Sequence, residues 1–150
     1  MSEQIDHDEN AVSIHVRRGD YLEPKYWKTT GCVCQLPYYL NAIAEMNKRI
    51  SQPSYYVFSD DIAWVKENLP LPKAFFIDWN KGAESWQDMM LMSRCRHHII
   101  CNSSWWGAWL NPRENKTVIM PERWFRHCET PDICPDKWIK VPINQPDSIQ

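Results

Sequence analysis

"AVSIHVRRGDY", residues 11–21, decides the fold. Its first six residues are mostly apolar, with β-branched side chains, and predict a short strand over 11–16. The strand runs straight into Arg17-Arg18-Gly19-Asp20: two guanidinium groups, a glycine and a carboxylate. In an open parallel α/β sheet, ligands bind outside the carboxyl ends of the strands, so a polar turn here is a candidate site. The stretch also contains Arg18-Gly19-Asp20, the tripeptide that cell-adhesion receptors read. An adhesive loop and an anion site therefore compete for the same residues.

Downstream, strand-like and helix-like segments alternate. "PYYLNAIAEMNKRI" (37–50) sets Tyr39, Ile43, Met46 and Ile50 at helical spacing, with Pro37 suited to a first turn. "SYYVF" (54–58) predicts a second strand, and Ser59 or Asp60 a helix N-cap. Ile62, Val65 and Leu69 share one face of the next helix, which "PLP" (70–72) ends. "AFFI" (74–77), "HHIIC" (97–101) and "TVIM" (117–120) predict three more strands, with helices over 84–95 and over the short "WWGAWL" run. A loop rich in Gly, Thr and aromatics is expected up to about Gln35. Residues 1–10 are expected to be disordered or the start of a linker, and the Pro-rich tail from about 121 to wrap the surface. The alternation predicts an α/β fold: one Rossmann-like domain over 11–150, a three-layer α/β/α parallel sheet.

Composition narrows the function classes. The 150 residues are 43% hydrophobic and include nine tryptophans, which fits one packed domain. A net charge of −2 provides no global field for nucleic acid or an anionic membrane, so any anion must be bound locally. No apolar run approaches the roughly 18 residues that span a bilayer. The start, "MSEQIDHDEN", has no export pattern, so a cytoplasmic chain with reduced thiols is expected. Of the six cysteines, Cys101 reads as a small core residue, and Cys128 and Cys134 as the pair best placed to bridge if oxidised. The cysteine spacings match no standard zinc-finger pattern, so no metal is expected.

Three polar junctions fall at predicted strand ends: His15-x-Arg17-Arg18-Gly19-Asp20, Ser59-Asp60-Asp61 and Asn102-Ser103-Ser104. Guanidinium forks match phosphate oxygens, and hydroxyls at a helix start add donors. Carboxylates repel phosphate but accept well from paired N–H groups such as those of guanine. Together the junctions suit a guanine nucleotide with a diphosphate. Each also has a plain structural alternative: Asp60 and Asp61 as helix caps, Arg17 in an ion pair with Asp20 or Asp61, Ser103 and Ser104 as an N-cap, and His15 as a satisfied strand residue. The tryptophans after Ser104 are more often core than ligand-stacking. The adhesive reading leaves Arg17 without a role and needs an exposed loop tip.

"VSIHVRRGDYL" (12–22), "YYVFSDDIAWVKENL" (55–69) and "DMMLMSRCRHHIICNSSWWGAWLNP" (88–112), with "GCVCQLPYYLNAIAEM" (31–46) between them, resemble the bacterial α-1,2-fucosyltransferases of glycosyltransferase family 11. The resemblance covers about residues 11 to 125. It implies the C-terminal, donor-binding half of a two-domain GT-B enzyme, with the acceptor half absent. It implies transfer of L-fucose from GDP-fucose to the 2-hydroxyl of a galactoside, with inversion, in glycan, O-antigen or capsule synthesis, and with no metal or other cofactor. Peripheral membrane association of the full-length protein is compatible with it but not indicated by the sequence.

By position, the resemblance makes Arg17 and Arg18 the diphosphate-binding pair, with Arg17 the more important for catalysis. His15 lies near the donor, with Asp20 beside the arginines. Asp60 and Asp61 fall where guanine is read, and Asn102, Ser103 and Ser104 fall near the phosphates. One departure stands out: the family's last motif reads Asn-Ser-Ser-Phe-Ser-Trp-Trp, whereas here Ser104 runs straight into Trp105-Trp106. The loss of two residues shifts which serine faces the ligand. The general base is left open between His15, Asp20 and the absent half. The isolated chain is expected to bind GDP weakly and to catalyse little. The alternative is a non-catalytic nucleotide- or sugar-binding module.

Overall fold

The computed structural model describes residues 1–27, 34–125 and 132–144. Its elements run α1 (Ser2–His7), β1 (Ala11–Val16), α2 (Pro24–Trp27), α3 (Leu36–Arg49), β2 (Ser54–Ser59), α4 (Ile62–Asn68), β3 (Ala74–Ile77), α5 (Trp86–Arg94), β4 (His97–Ile99), α6 (Trp105–Trp109), β5 (Val118–Pro121) and β6 (Ile139–Val141). Every strand pairing is parallel, and the spatial order is β3-β2-β1-β4-β5-β6. The chain moves outward from β1 to β3, then returns to the other side of β1 and moves outward again. The reversal point, between β1 and β4, is where a doubly wound sheet opens a crevice.

Strand alternation separates two helical layers. Val12, Ile14, Val16, Tyr55, Val57, Ile99 and Ile119 pack with Tyr39, Ile43 and Met46 of α3 and Val65 of α4. Across the sheet, Tyr56, Phe58 and Ile77 pack with Ile5 of α1 and with Leu91, Met92 and Cys95 around α5. Ile100, Val118 and Met120 cover Ala108 of α6 beside them. Each fully buried aliphatic side chain of this kind contributes about 1.5–3 kcal/mol. α5 and α6 pack so closely that a Cβ on Gly107 would lie 2.9 Å from the Met92 Cβ.

A buried polar chain pins β1, β4 and the segment after α6. Ser13 Oγ lies 2.8 Å from His98 Nδ1, and Asn111 Nδ2 lies 2.8 Å from His98 Nε2 while also donating to the Cys95 carbonyl at 2.9 Å. Burial, with Lys116, His97 and Arg113 adding to it, pushes the His98 pKa down to about 3. The imidazole is therefore neutral, accepting from Asn111 and donating to Ser13.

The structure corrects several expectations. Residues 2–7 form a helix with Ile5 fully buried, tied to α5 by Arg94, whose Nε donates to Asp6 at 2.9 Å. The segment after 121 does more than wrap the surface: it supplies β6 as a sixth strand and buries Trp124 and Trp138. The cap of α4 is Asp61, whose carboxylate accepts from Trp64 N at 3.1 Å, and neither Ser59 nor Asp60 fills that place. The loop after β1 contains a 3-10 turn at Asp20–Leu22 and the short α2. Cys128 lies outside the described residues, so its pairing with Cys134 does too. Among the described residues no helix is long and apolar enough to cross a membrane.

Candidate functional site

Register brings the three predicted junctions to one edge. Val16 pairs with Ser59 across β1 and β2, and Ile14 pairs with Ile99 across β1 and β4. The turns that follow β1, β2 and β4 thus emerge on one edge, at the reversal point of the sheet.

Asp60 organises the turn after β1. Its Oδ1 accepts from Arg18 N and its Oδ2 from Gly19 N, both at 2.9 Å. A Cβ at Gly19 would stand 2.8 Å from Asp60 Oδ2, so glycine is needed for this close approach and not for a left-handed backbone. With both oxygens engaged by the turn, Asp60 acts on the arginines through the backbone that carries them. Asp61 is engaged as well, with its side chain 39% exposed: Oδ1 caps α4 and Oδ2 lies 3.4 Å from Arg18 Nε.

The two arginines part company. Arg18 turns toward α4, with its guanidinium 3.9 Å above the Trp64 ring and its side chain 23% exposed. Arg17 stays at the edge, 40% exposed, in a bidentate pair with Asp20: Nε–Oδ1 at 3.0 Å and Nη2–Oδ2 at 2.7 Å. A carboxylate that grips a guanidinium in this way fixes the plane of the fork. Arg18 and Gly19 are held against Asp60 and α4, so the tripeptide is not the free loop tip that adhesion needs.

Behind Arg17 lies a thiol–imidazole contact that sequence reasoning did not anticipate. His15 Nδ1 is 3.5 Å from Cys101 Sγ. Burial lowers the His15 pKa, but the charge and hydrogen bond of Cys101, with a smaller contribution from Asp60, more than offset this and leave it raised. Cys101 is held well below the usual thiol range, chiefly by hydrogen bonding from Cys34, with His15 and Tyr39 assisting against burial. The Tyr39 hydroxyl also donates to the His15 carbonyl at 3.2 Å. Asp88, in the first turn of α5, joins this edge: Asn80 Nδ2 donates to its Oδ1 at 2.6 Å. Burial raises its pKa, against the Asn80 hydrogen bond and the charge of His15. Its place after the carboxyl end of β3 was the one signal that could have found it.

The third junction is mostly structural. Ser104 is buried, its Oγ donating to the Cys101 carbonyl and accepting from Cys101 N, each at 2.9 Å. Asn102 Nδ2 donates to the Trp124 carbonyl at 3.1 Å. Ser104 is thus committed to its own turn and the Asn102 amide to the segment after β5. The Ser103 side chain lies outside the described residues. Among the described residues, no group of three His, Cys, Asp or Glu is placed to hold a metal ion.

The comparisons with known proteins agree on one relationship. The family described as glycosyl transferase family 11 matches residues 1–141. Alpha-1,2-colitosyltransferase of Escherichia coli is 37% identical over 138 residues, which is 88% of this chain and 48% of that protein. The O-antigen biosynthesis glycosyltransferase WbnK of Escherichia coli is 36% identical over 135 residues, 88% of this chain and 45% of its own. Galactoside alpha-(1,2)-fucosyltransferase 1 of Saimiri boliviensis boliviensis is 34% identical over 105 residues, 66% and 28% respectively. The chain spans about half the length of the two bacterial relatives. No solved structure matches it.

Proposed function

Because the chain belongs to glycosyltransferase family 11, we propose that it is the donor-binding half of a GT-B enzyme that transfers L-fucose from GDP-fucose to the 2-hydroxyl of a galactoside. The α-1,2 linkage in the names of its relatives supports this reading. The observation that carries it is the reversal-point edge, where Asp20 orients Arg17 and Asp60 fixes the turn beneath it. A cytoplasmic location is part of the same proposal.

In the reaction, the acceptor oxygen attacks the anomeric carbon on the face opposite the diphosphate. The carbon–oxygen bond to the diphosphate breaks and the electron pair leaves with GDP. The acceptor proton passes to a base on the cleft or on the other half of the enzyme. Charge builds on the leaving oxygen, and a pre-oriented guanidinium at Arg17 stabilises that charge more in the transition state than in the ground state. A donor of this kind is typically worth about 3 kcal/mol. His15 lies behind it, its pKa raised by the neighbouring Cys101 thiol. With a fixed cation doing this work, activity should survive chelation by EDTA.

A thermal-shift panel of GDP, UDP, ADP and GDP-fucose tests the reading: stabilisation by the guanine nucleotides alone is expected. Equal shifts with all nucleotides, or none, would overturn it. A second reading, a non-catalytic nucleotide- or sugar-binding module, draws on two observations. Arg17 and Arg18 share their corner with three carboxylates, Asp20, Asp60 and Asp61, and Asn102 and Ser104 are committed to structure. Fucose transfer to lactose by this chain combined with an acceptor half decides for the enzyme, and guanine binding without transfer decides for the module.

A further inference from the structure

Helix α5 is apolar on two sides. Leu91 and Met92, with Cys95 just beyond the helix, face the sheet. On the outer side, Trp86, Met89 and Met90 stand at positions i, i+3 and i+4. The end of α6 repeats that spacing with Trp106, Trp109 and Leu110, and all six side chains are between 37% and 59% exposed. The Met92–Gly107 contact sets the two helices side by side, so the two stripes are carried by neighbouring elements. Two of the rings are already positioned: Trp109 stacks on Trp105 with centroids 4.9 Å apart, and Trp106 meets Trp105 edge-on. A helix facing water carries a polar outer face, and clustered apolar exposure marks an interface.

The chemistry of the flank selects the kind of partner. Its polar positions include the uncharged Ser85, Gln87 and Ser93, with one carboxylate, Glu84, accepting from the Gln87 amide. Arg94, the one cation on α5, is paired with Asp6. An anionic membrane surface is met by clusters of lysines and arginines, and α5 offers only Arg94, already paired. A protein surface of matching apolarity fits it. The bacterial relatives are about twice as long as this chain, so a transferase of this family contains a second body of similar size.

We propose that the α5/α6 flank, centred on Trp86, Met90 and Trp109, is the docking face for the other half of a family 11 transferase. The inference rests on the reading of this chain as one half of such an enzyme. To test it, the 150-residue chain is mixed with the portion of the Escherichia coli colitosyltransferase that lies outside the matched region, after circular dichroism and a cooperative thermal transition have shown that this portion is folded. Size-exclusion chromatography with light scattering reads association, and hydroxyl-radical footprinting reads the face. The expected result is a one-to-one complex in which oxidation of Trp86, Met89, Met90, Trp106 and Trp109 slows several-fold, while exposed Leu22 and Ile133 are unchanged. Trp86→Gln with Met90→Glu should weaken association about tenfold or more and leave the nucleotide-induced thermal shift intact. A complex protected elsewhere would overturn the docking face and leave the two-half reading standing. A homodimer that protects the flank would overturn the choice of occupant. No complex at all would overturn the inference, while the guanine thermal shift judges the donor-site reading separately.

Discussion

Gly19 and Asp60 meet so closely that the glycine's missing side chain is part of the contact: Gly19 N donates to Asp60 Oδ2 at 2.9 Å, where a Cβ would stand 2.8 Å from the same oxygen. Gly19→Ala should therefore push the carboxylate away and release the turn that carries both arginines. We expect GDP affinity to fall about tenfold, equivalent to ~1.4 kcal/mol, with a small change in melting temperature. Calorimetry on the alanine variant checks this, and unchanged affinity would remove Asp60 from the site's architecture.

Arg17 and Ser104 should separate by phenotype. Arg17→Ala removes charge-assisted hydrogen bonds worth about 1.5–3 kcal/mol, so GDP binding should weaken roughly 10- to 100-fold while the fold holds. Ser104→Ala leaves the buried Cys101 N–H without its acceptor and should cost about 1–3 kcal/mol of stability with little effect on GDP affinity. Urea denaturation and calorimetry on both variants should give opposite profiles.

His98 should make the protein acid-sensitive. Its pKa is about 3 in the fold, against an ordinary 6.5. Below pH 6.5 the unfolded chain takes up a proton at this imidazole that the folded chain refuses until about pH 3. The contribution to stability is thus fully present above pH 6.5 and falls, by up to about 1.4 kcal/mol per pH unit, across that window. Urea midpoints measured from pH 7 to 4 should decline, and His98→Gln should flatten the slope. A slope that survives the substitution would have to come from other groups.

The thiol beside His15 should set that residue's titration. Replacing Cys101 with alanine removes the interaction that holds the imidazole pKa up, while burial and Arg17 continue to lower it. The His15 pKa, followed through its Cε1–H resonance by NMR, should therefore drop. If it did not, the contact at 3.5 Å would carry no electrostatic weight.

Local signals were legible wherever one residue type met one local requirement. β1 runs from Ala11 to Val16 as its β-branched run predicts, and β3 occupies 74–77. The partnership of Arg17 with Asp20 was open to inference because the two lie three residues apart. The contacts of Asp60 and Asp61 with Arg18 and Gly19 were not, since they span more than forty residues and only the parallel register of β1 with β2 brings them together. α1 escaped notice because its single buried apolar residue, Ile5, packs on a helix about ninety positions later. Cys101 was read correctly as buried, yet no periodicity says that a buried thiol will face an imidazole from another strand.

The strand order also bears on how the chain acquires this site. β1 lies in the middle of the sheet, but its second neighbour, β4, is made only after residue 96. Until then one side of β1 is an open edge with unpaired backbone donors and acceptors. Contacts between residues this far apart in sequence form slowly, and an unpaired edge invites pairing with other chains. During synthesis the "HVRRGDY" turn therefore waits, exposed, for a cysteine 86 residues beyond its histidine. A nascent chain stalled before β4 would be the species most prone to aggregate.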